Sequence, residues 1–284
     1  MRGASIVVIA ALLVASGARA QESGSGSGSD SGCPATARPI GPSQASYLDG
    51  QLGVPRRACM RTELALSGDG YLVARPADFY GNIRIGARLS GSYVIDDRVE
   101  IWASLELLRF QNIISAVSTA YTGLGYTSLG ATLPLLREER RAIAAYARLV
   151  LPTTTGLDRA AQPLALELGG TAELDAHPNL RVHAWLSLVG SIALSQIAPA
   201  DPRGGLRVGG GLDWVPYEAL SFVLELASGF GYRDGLDFLA IQAAIRLALG
   251  DVMGVELSGT VPLAGAEVAL ASATLSLSAR FDGR

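Results

Sequence analysis

Between Phe79 and Phe110 the residues alternate in polarity through two runs separated by Asp96-Asp97. From Ile83 the odd positions are Ile83, Ile85, Ala87, Leu89, Gly91, Tyr93 and Ile95, while the even ones are Asn82, Arg84, Gly86, Arg88, Ser90 and Ser92. After the turn the apolar set resumes as Val99, Ile101, Ala103, Leu105 and Leu107, against Arg98, Glu100, Trp102, Ser104 and Glu106. Successive side chains leave a β-strand on opposite sides, so a period of two predicts a hairpin with one greasy face and one charged face. In a water-soluble sheet the greasy face meets a core and the charges meet solvent. In a closed barrel crossing a bilayer, the greasy face meets lipid and the charges meet a wet lumen. The number and length of further runs, and what precedes them, decide between the two.

The chain begins Met1-Arg2, passes through an apolar run from Ile6 to Ala15, and reaches the small-x-small site Ala18-Arg19-Ala20 before Gln21. Charge, short apolar run and cleavage site are the parts of an export signal, so residues 1–20 are expected to be a signal peptide. No other stretch approaches the eighteen consecutive apolar residues of a spanning helix. Yet 49% of the residues are hydrophobic and mean hydropathy is +0.30. Charged residues make up only 17%, against about 25% in ordinary soluble proteins. A chain whose outer belt faces lipid accounts for both figures. The net charge of −3, with no lysine and no basic cluster, argues against a nucleic-acid partner.

Residues 21–58 read as a Ser/Gly-rich tether, Glu22 to Gly32, followed by an aperiodic lead-in. Cys33 and Cys59 are the two cysteines. In an exported protein they are candidates for one disulfide, or for two free thiols, since spacing does not fix their geometry. Two cysteines fall short of the four ligands of a structural zinc site. No metal or cofactor is expected.

From residue 59 to 284 the alternation recurs. Including the opening pair, runs start near Met60, Ile83, Val99, Tyr121, Ile143, Leu164, Leu180, Leu206, Leu220, Leu239, Val255 and Ala271. Twelve strands result. Many are nine residues or longer; a tilted strand needs roughly 9 to 11 to cross a bilayer, whereas soluble strands cluster near 5 to 6. Compact turns are expected at Asp96-Asp97, Leu136 to Arg141, Asp175 to Asn179, Pro216 to Ala219 and Gly250 to Gly254. Longer connections are expected at Gly68 to Asp78, Gln111 to Thr119, Pro152 to Pro163 and Gln196 to Gly205. Short turns at one end and longer loops at the other are the habit of a transmembrane barrel. The predicted fold class is all-β, an antiparallel transmembrane β-barrel of twelve strands in an outer membrane, with lipid as its surrounding partner.

The inward face carries alternating charge. Arg61 and Glu63 come first, then Arg84 and Arg88, Glu100 and Glu106, and Arg148 on the fifth strand. Glu167 and Glu173, Arg181, Arg207 and Asp213, Glu225, Arg246, Glu256 and Arg280 complete the circuit. Opposite charges on neighbouring strands attract, and an arginine forks onto a carboxylate. This ladder is the candidate eyelet of a lumen passing small polar solutes, or else pairing that only holds the wall. Catalysis needs a base with an oriented partner. His183 faces inward, but Ser187 lies two strand repeats away, so no enzyme is expected.

The stretch Met60 to Arg284 resembles the small Gram-negative outer-membrane barrels, porin-like in form. The likeness rests on the strand pattern and on the aromatic-ended last strand, Ala271 to Phe281, which Asp282-Gly283-Arg284 extend beyond the usual end. It implies handling by the barrel-assembly machinery. Arg148 to Thr153 with Gly156 is similar to the strand-to-loop passage of porin-like proteins linked to aromatic-compound catabolism. The function implied is passive or weakly selective passage of small polar solutes. The alternative is a non-conducting structural or surface-interaction barrel.

Overall fold

The computed structural model describes residues 62–75, 80–96, 98–114, 118–138, 140–153, 163–193, 202–217, 219–232, 235–249, 253–265 and 269–280. The expected signal peptide, tether, and Cys33 and Cys59 lie outside them.

Thirteen strands form one antiparallel sheet: β1 (Glu63–Arg75), β2 (Tyr80–Ile95), β3 (Val99–Ile114), β4 (Thr119–Gly123), β5 (Thr127–Arg137), β6 (Arg141–Leu151) and β7 (Pro163–His177) come first. Then follow β8 (Leu180–Ala193), β9 (Pro202–Tyr217), β10 (Leu220–Gly231), β11 (Gly235–Leu249), β12 (Met253–Ala264) and β13 (Ala269–Arg280). Strand β1 pairs with β2 on one side and β13 on the other, so the sheet closes on itself. Strands β4 and β5 both pair with β3 and share one place in the wall, which makes a ring of twelve. Closure removes the exposed strand edges that an open sheet would present.

The alternation sets which side faces out. Ile83, Ile85 and Leu89 of β2 are exposed while Arg84, Arg88 and Ser90 between them are buried. The same holds on β10, where Leu224 and Leu226 are exposed about a buried Glu225. This is a soluble protein turned inside out, with its leucines on the surface. Among the described residues thirty polar or charged side chains are buried against thirteen hydrophobic ones, so the interior is polar. Tyr93, Trp214, Tyr217, Phe110, Phe230 and Tyr232 stand exposed near strand ends, where interfacial girdles sit. Trp214 and Phe222 stack with centroids 5.5 Å apart.

The strands are longer than the alternation alone predicts. Gly68 to Arg75, expected as loop, is the second half of β1, paired with β2 through Arg75 and Tyr80. Likewise β3 runs on to Ile114, β5 through Arg137, and β9 starts at Pro202 and ends at Tyr217. Backbone pairing continues where side-chain alternation has faded, because ladder hydrogen bonds do not depend on side-chain polarity. The contrast in loop length shrinks accordingly. Connections at one end span two or three residues; at the other they span three to eleven.

Candidate functional site

The expected continuous fourth strand, Tyr121 to Leu133, is broken, and the break is built around Glu106. Opposite it, the β2–β3 register slips between Ala87 and Arg88: Ala87 faces Leu108 while Arg88 faces Glu106. Leu107 is the extra residue of a β-bulge, and both Leu107 and Leu108 point outward. Beyond the bulge the phase is inverted, so Arg109 and Gln111 turn inward and are buried. The Glu106 main chain takes a hydrogen bond from the Gly125 amide at 2.9 Å and donates one to the Tyr126 carbonyl at 3.1 Å. Its carboxylate fills the space beside Gly125, where any Cβ would sit 1.8 Å from Oε2, and accepts the Tyr126 amide at 3.2 Å.

Two arginines converge on that carboxylate. Arg84 donates to Glu106 Oε1, and Arg109 Nη1 lies 3.9 Å from Oε2. Arg109 also rests over the Tyr126 ring at 5.0 Å, within cation–π reach. Arg88 is the direct cross-strand neighbour of Glu106. The structure thus brings together Arg84, Arg88 and Glu106 and adds Arg109, which simple alternation from Leu107 would have placed outside. The Leu107-Leu108 doublet followed by Arg109-Phe110-Gln111 is the sequence signal for that phase change.

A second group lines β7 to β12 near the short turns. Arg181 Nε donates to Asp175 at 2.8 Å, and its Nη1 is 3.9 Å from Glu173. His183 lies 2.8 Å from Glu225 and 3.6 Å from Asp213. Arg246 reaches Glu256 at 2.5 Å and Asp213 at 3.9 Å. Each base here is shared by two carboxylates. Between the two groups, Arg148 lies 3.7 Å from Glu167, which also accepts the Tyr146 hydroxyl at 3.1 Å.

Of the remaining candidates, Glu100 is fully buried opposite Thr132. Arg207 lies 5.9 Å from the Phe238 ring centroid. Arg280 is the cross-strand partner of Glu63; its side chain falls outside the described residues. The contacts described here gather the eyelet candidates about Glu106, about Glu167 and about the shared bases of β8 and β11.

Glycine sets these contacts. Gly130 lies between Trp102 and Arg148 in the cross-strand register, and Arg148 passes over the Trp102 ring at 5.9 Å. Gly211 lies in the same way between His183 and Glu225, and Gly229 between Arg207 and Phe238. In each case a missing side chain lets residues two strands apart meet across the gap. A Cβ on Gly130 would be 2.2 Å from the Trp102 ring, and one on Gly229 would be 2.4 Å from Phe238. Tyr146 and Trp185 lie against Gly169 and Gly209 similarly. This is the role strand glycine has where another group approaches closely. It accounts for inward glycines that carry no turn.

No protein-family model and no curated protein matches the chain. Solved structures do. The COG4313 outer membrane channel from Pseudomonas putida F1 superposes with a TM-score of 0.60 at 12% identity, covering 78% of this chain and 96% of that one. The transport unit of the autotransporter AIDA-I from Escherichia coli gives 0.54 at 11% identity, over 78% and 90%. The KdgM porin, solved in complex with disordered oligogalacturonate, gives 0.52 at 8% identity, over 77% and 99%. At these identities the likeness carries the fold alone. By fold the chain is a closed antiparallel β-barrel of twelve strands, similar to outer-membrane channels and porins.

Proposed function

We propose that the chain is an outer-membrane channel for passive or weakly selective passage of small polar solutes. It would reach its membrane by export with a cleaved signal peptide and insertion by the barrel-assembly machinery. The observation that carries this reading is the polarity of the interior. A barrel that had only to fill itself is built more stably from apolar side chains, because pairing buried charges seldom repays their desolvation. Here charged groups recur along most of the inward wall, shared between strands as Arg181, His183 and Arg246 are. Such a wall solvates a passing polar solute in place of water.

A second reading, a non-conducting structural barrel, has one observation in its favour: Glu100 and Glu106 are completely buried, so side chains fill the lumen at their level. The passage in the first reading is accordingly narrow. Purified protein in a planar bilayer separates the two. Discrete conductance steps support the channel, and a silent membrane in the presence of correctly folded barrel supports the structural reading.

A further inference from the structure

The wall from β7 to β12 carries more negative charge than its own bases neutralise. Among the described residues of these strands six carboxylates, those of Glu167, Glu173, Asp175, Asp213, Glu225 and Glu256, stand beside four bases, Arg181, Arg207, Arg246 and His183. Acid outnumbers base there whether the imidazole is neutral or protonated. Sharing also leaves acceptor positions unfilled. Glu173 is 95% buried and faces inward opposite His183, yet neither of its carboxylate oxygens accepts a hydrogen bond among the described residues. The Arg181 guanidinium that comes nearest it, at 3.9 Å, has its Nε committed to Asp175. Glu256 repeats the arrangement: Oε2 takes Arg246 and Oε1 takes nothing.

Buried anionic oxygen without a donor is costly and is relieved by any cation that can reach it. No three of the described acidic or histidine side chains converge closely enough to chelate a metal. The geometry points to a cation-selecting wall in the lumen: Glu173 and Glu256 bias passage toward small diffusible cations, alkali ions or ammonium groups, and against anions. This rests on the channel reading above and names the class of solute it favours. Low-dielectric walls strengthen the bias by focusing the field of the uncompensated carboxylates.

The test is the reversal potential of the full-length protein in a planar bilayer under a potassium chloride gradient. The wild type is expected to show a potential of the cation-selective sign, larger at low salt, where screening is weak. Glu173→Gln keeps the side-chain shape and removes one charge, and it is expected to shift the potential toward the anion side. Glu256→Gln, on a different strand, is expected to do the same and serves if the first variant does not fold. A conducting wild type that prefers chloride, or a potential that neither variant moves, overturns the inference and leaves the channel reading standing. A silent membrane overturns both.

Discussion

Gly211 is the described glycine at which an added methyl group would meet backbone most closely. Its missing side chain lets His183 on β8 reach Glu225 on β10 across β9. A Cβ at this position would lie 2.2 Å from the Leu224 carbonyl oxygen, 2.7 Å from Glu225 Cγ and 2.9 Å from Glu225 Cα. Two of those three atoms belong to backbone, so no rotamer change relieves the contact; β9 and β10 must separate locally by more than 1 Å, an order-of-magnitude figure from the van der Waals spacing of about 3.5 Å. Overpacking of this kind costs about 1–3 kcal/mol. Weakening one ladder hydrogen bond adds about 1 kcal/mol. Gly211→Ala is therefore expected to destabilise the folded barrel by about 2–4 kcal/mol. Gly190→Ala is the control, because a Cβ there meets nothing within 4 Å. It is expected to be neutral or to stabilise by about 0.5 kcal/mol through the unfolded chain. Urea unfolding of both variants in the same detergent, followed by the folded band on an unheated gel, measures the difference. If Gly211→Ala matches Gly190→Ala within about 0.5 kcal/mol, close approach across glycine is not what arranges the inner wall.

Other outcomes follow from the same geometry. Glu106→Gln strips the counter-charge from Arg84 and Arg109, and removing one partner of a buried pair is expected to cost about 3–5 kcal/mol in the same unfolding assay; a loss below about 1 kcal/mol would contradict the role given to that carboxylate. The double variant Arg84→Ala, Arg88→Ala is expected to raise single-channel conductance and move ion preference further toward cations, and unchanged current records would remove these residues from the passage. Leu226→Arg puts a charge on the outward face near mid-strand, where lipid makes it cost about 2–4 kcal/mol; a neutral result would show that water, not hydrocarbon, bathes that face.

Fold and orientation were legible in the sequence because one physical variable, alternation of polarity, carries both. Arg84 and Arg88 faced inward by period alone, and the structure places them there. Arg109 was not legible because Leu107 and Leu108 both face outward, and a single extra residue inverts every position that follows. Alternation predicts a loop at Asp69 because Gly68 and Gly70 interrupt it; the structure pairs all three with β2. The meetings of His183 with Glu225 and of Arg148 with Trp102 were invisible for another reason. They join residues two strands apart, and only the register shows that a glycine lies between them. The same holds for the sharing of one base by two carboxylates, as Arg246 is shared by Glu256 and Asp213.

Hydrocarbon is expected to cover the outside of the ring while polar groups fill the inside, and the three tryptophans report on it directly. Trp214 is exposed on the outward face near a strand end, whereas Trp185 is buried inside against Gly209 and Trp102 lies inside against Gly130. Single-tryptophan variants, made by replacing the other two with phenylalanine, can be reconstituted in vesicles of brominated lipid and their fluorescence quenching compared. Strong quenching of Trp214 with little quenching of Trp185 or Trp102 is the predicted result. Equal quenching of all three, or stronger quenching of Trp185 than of Trp214, would contradict the account.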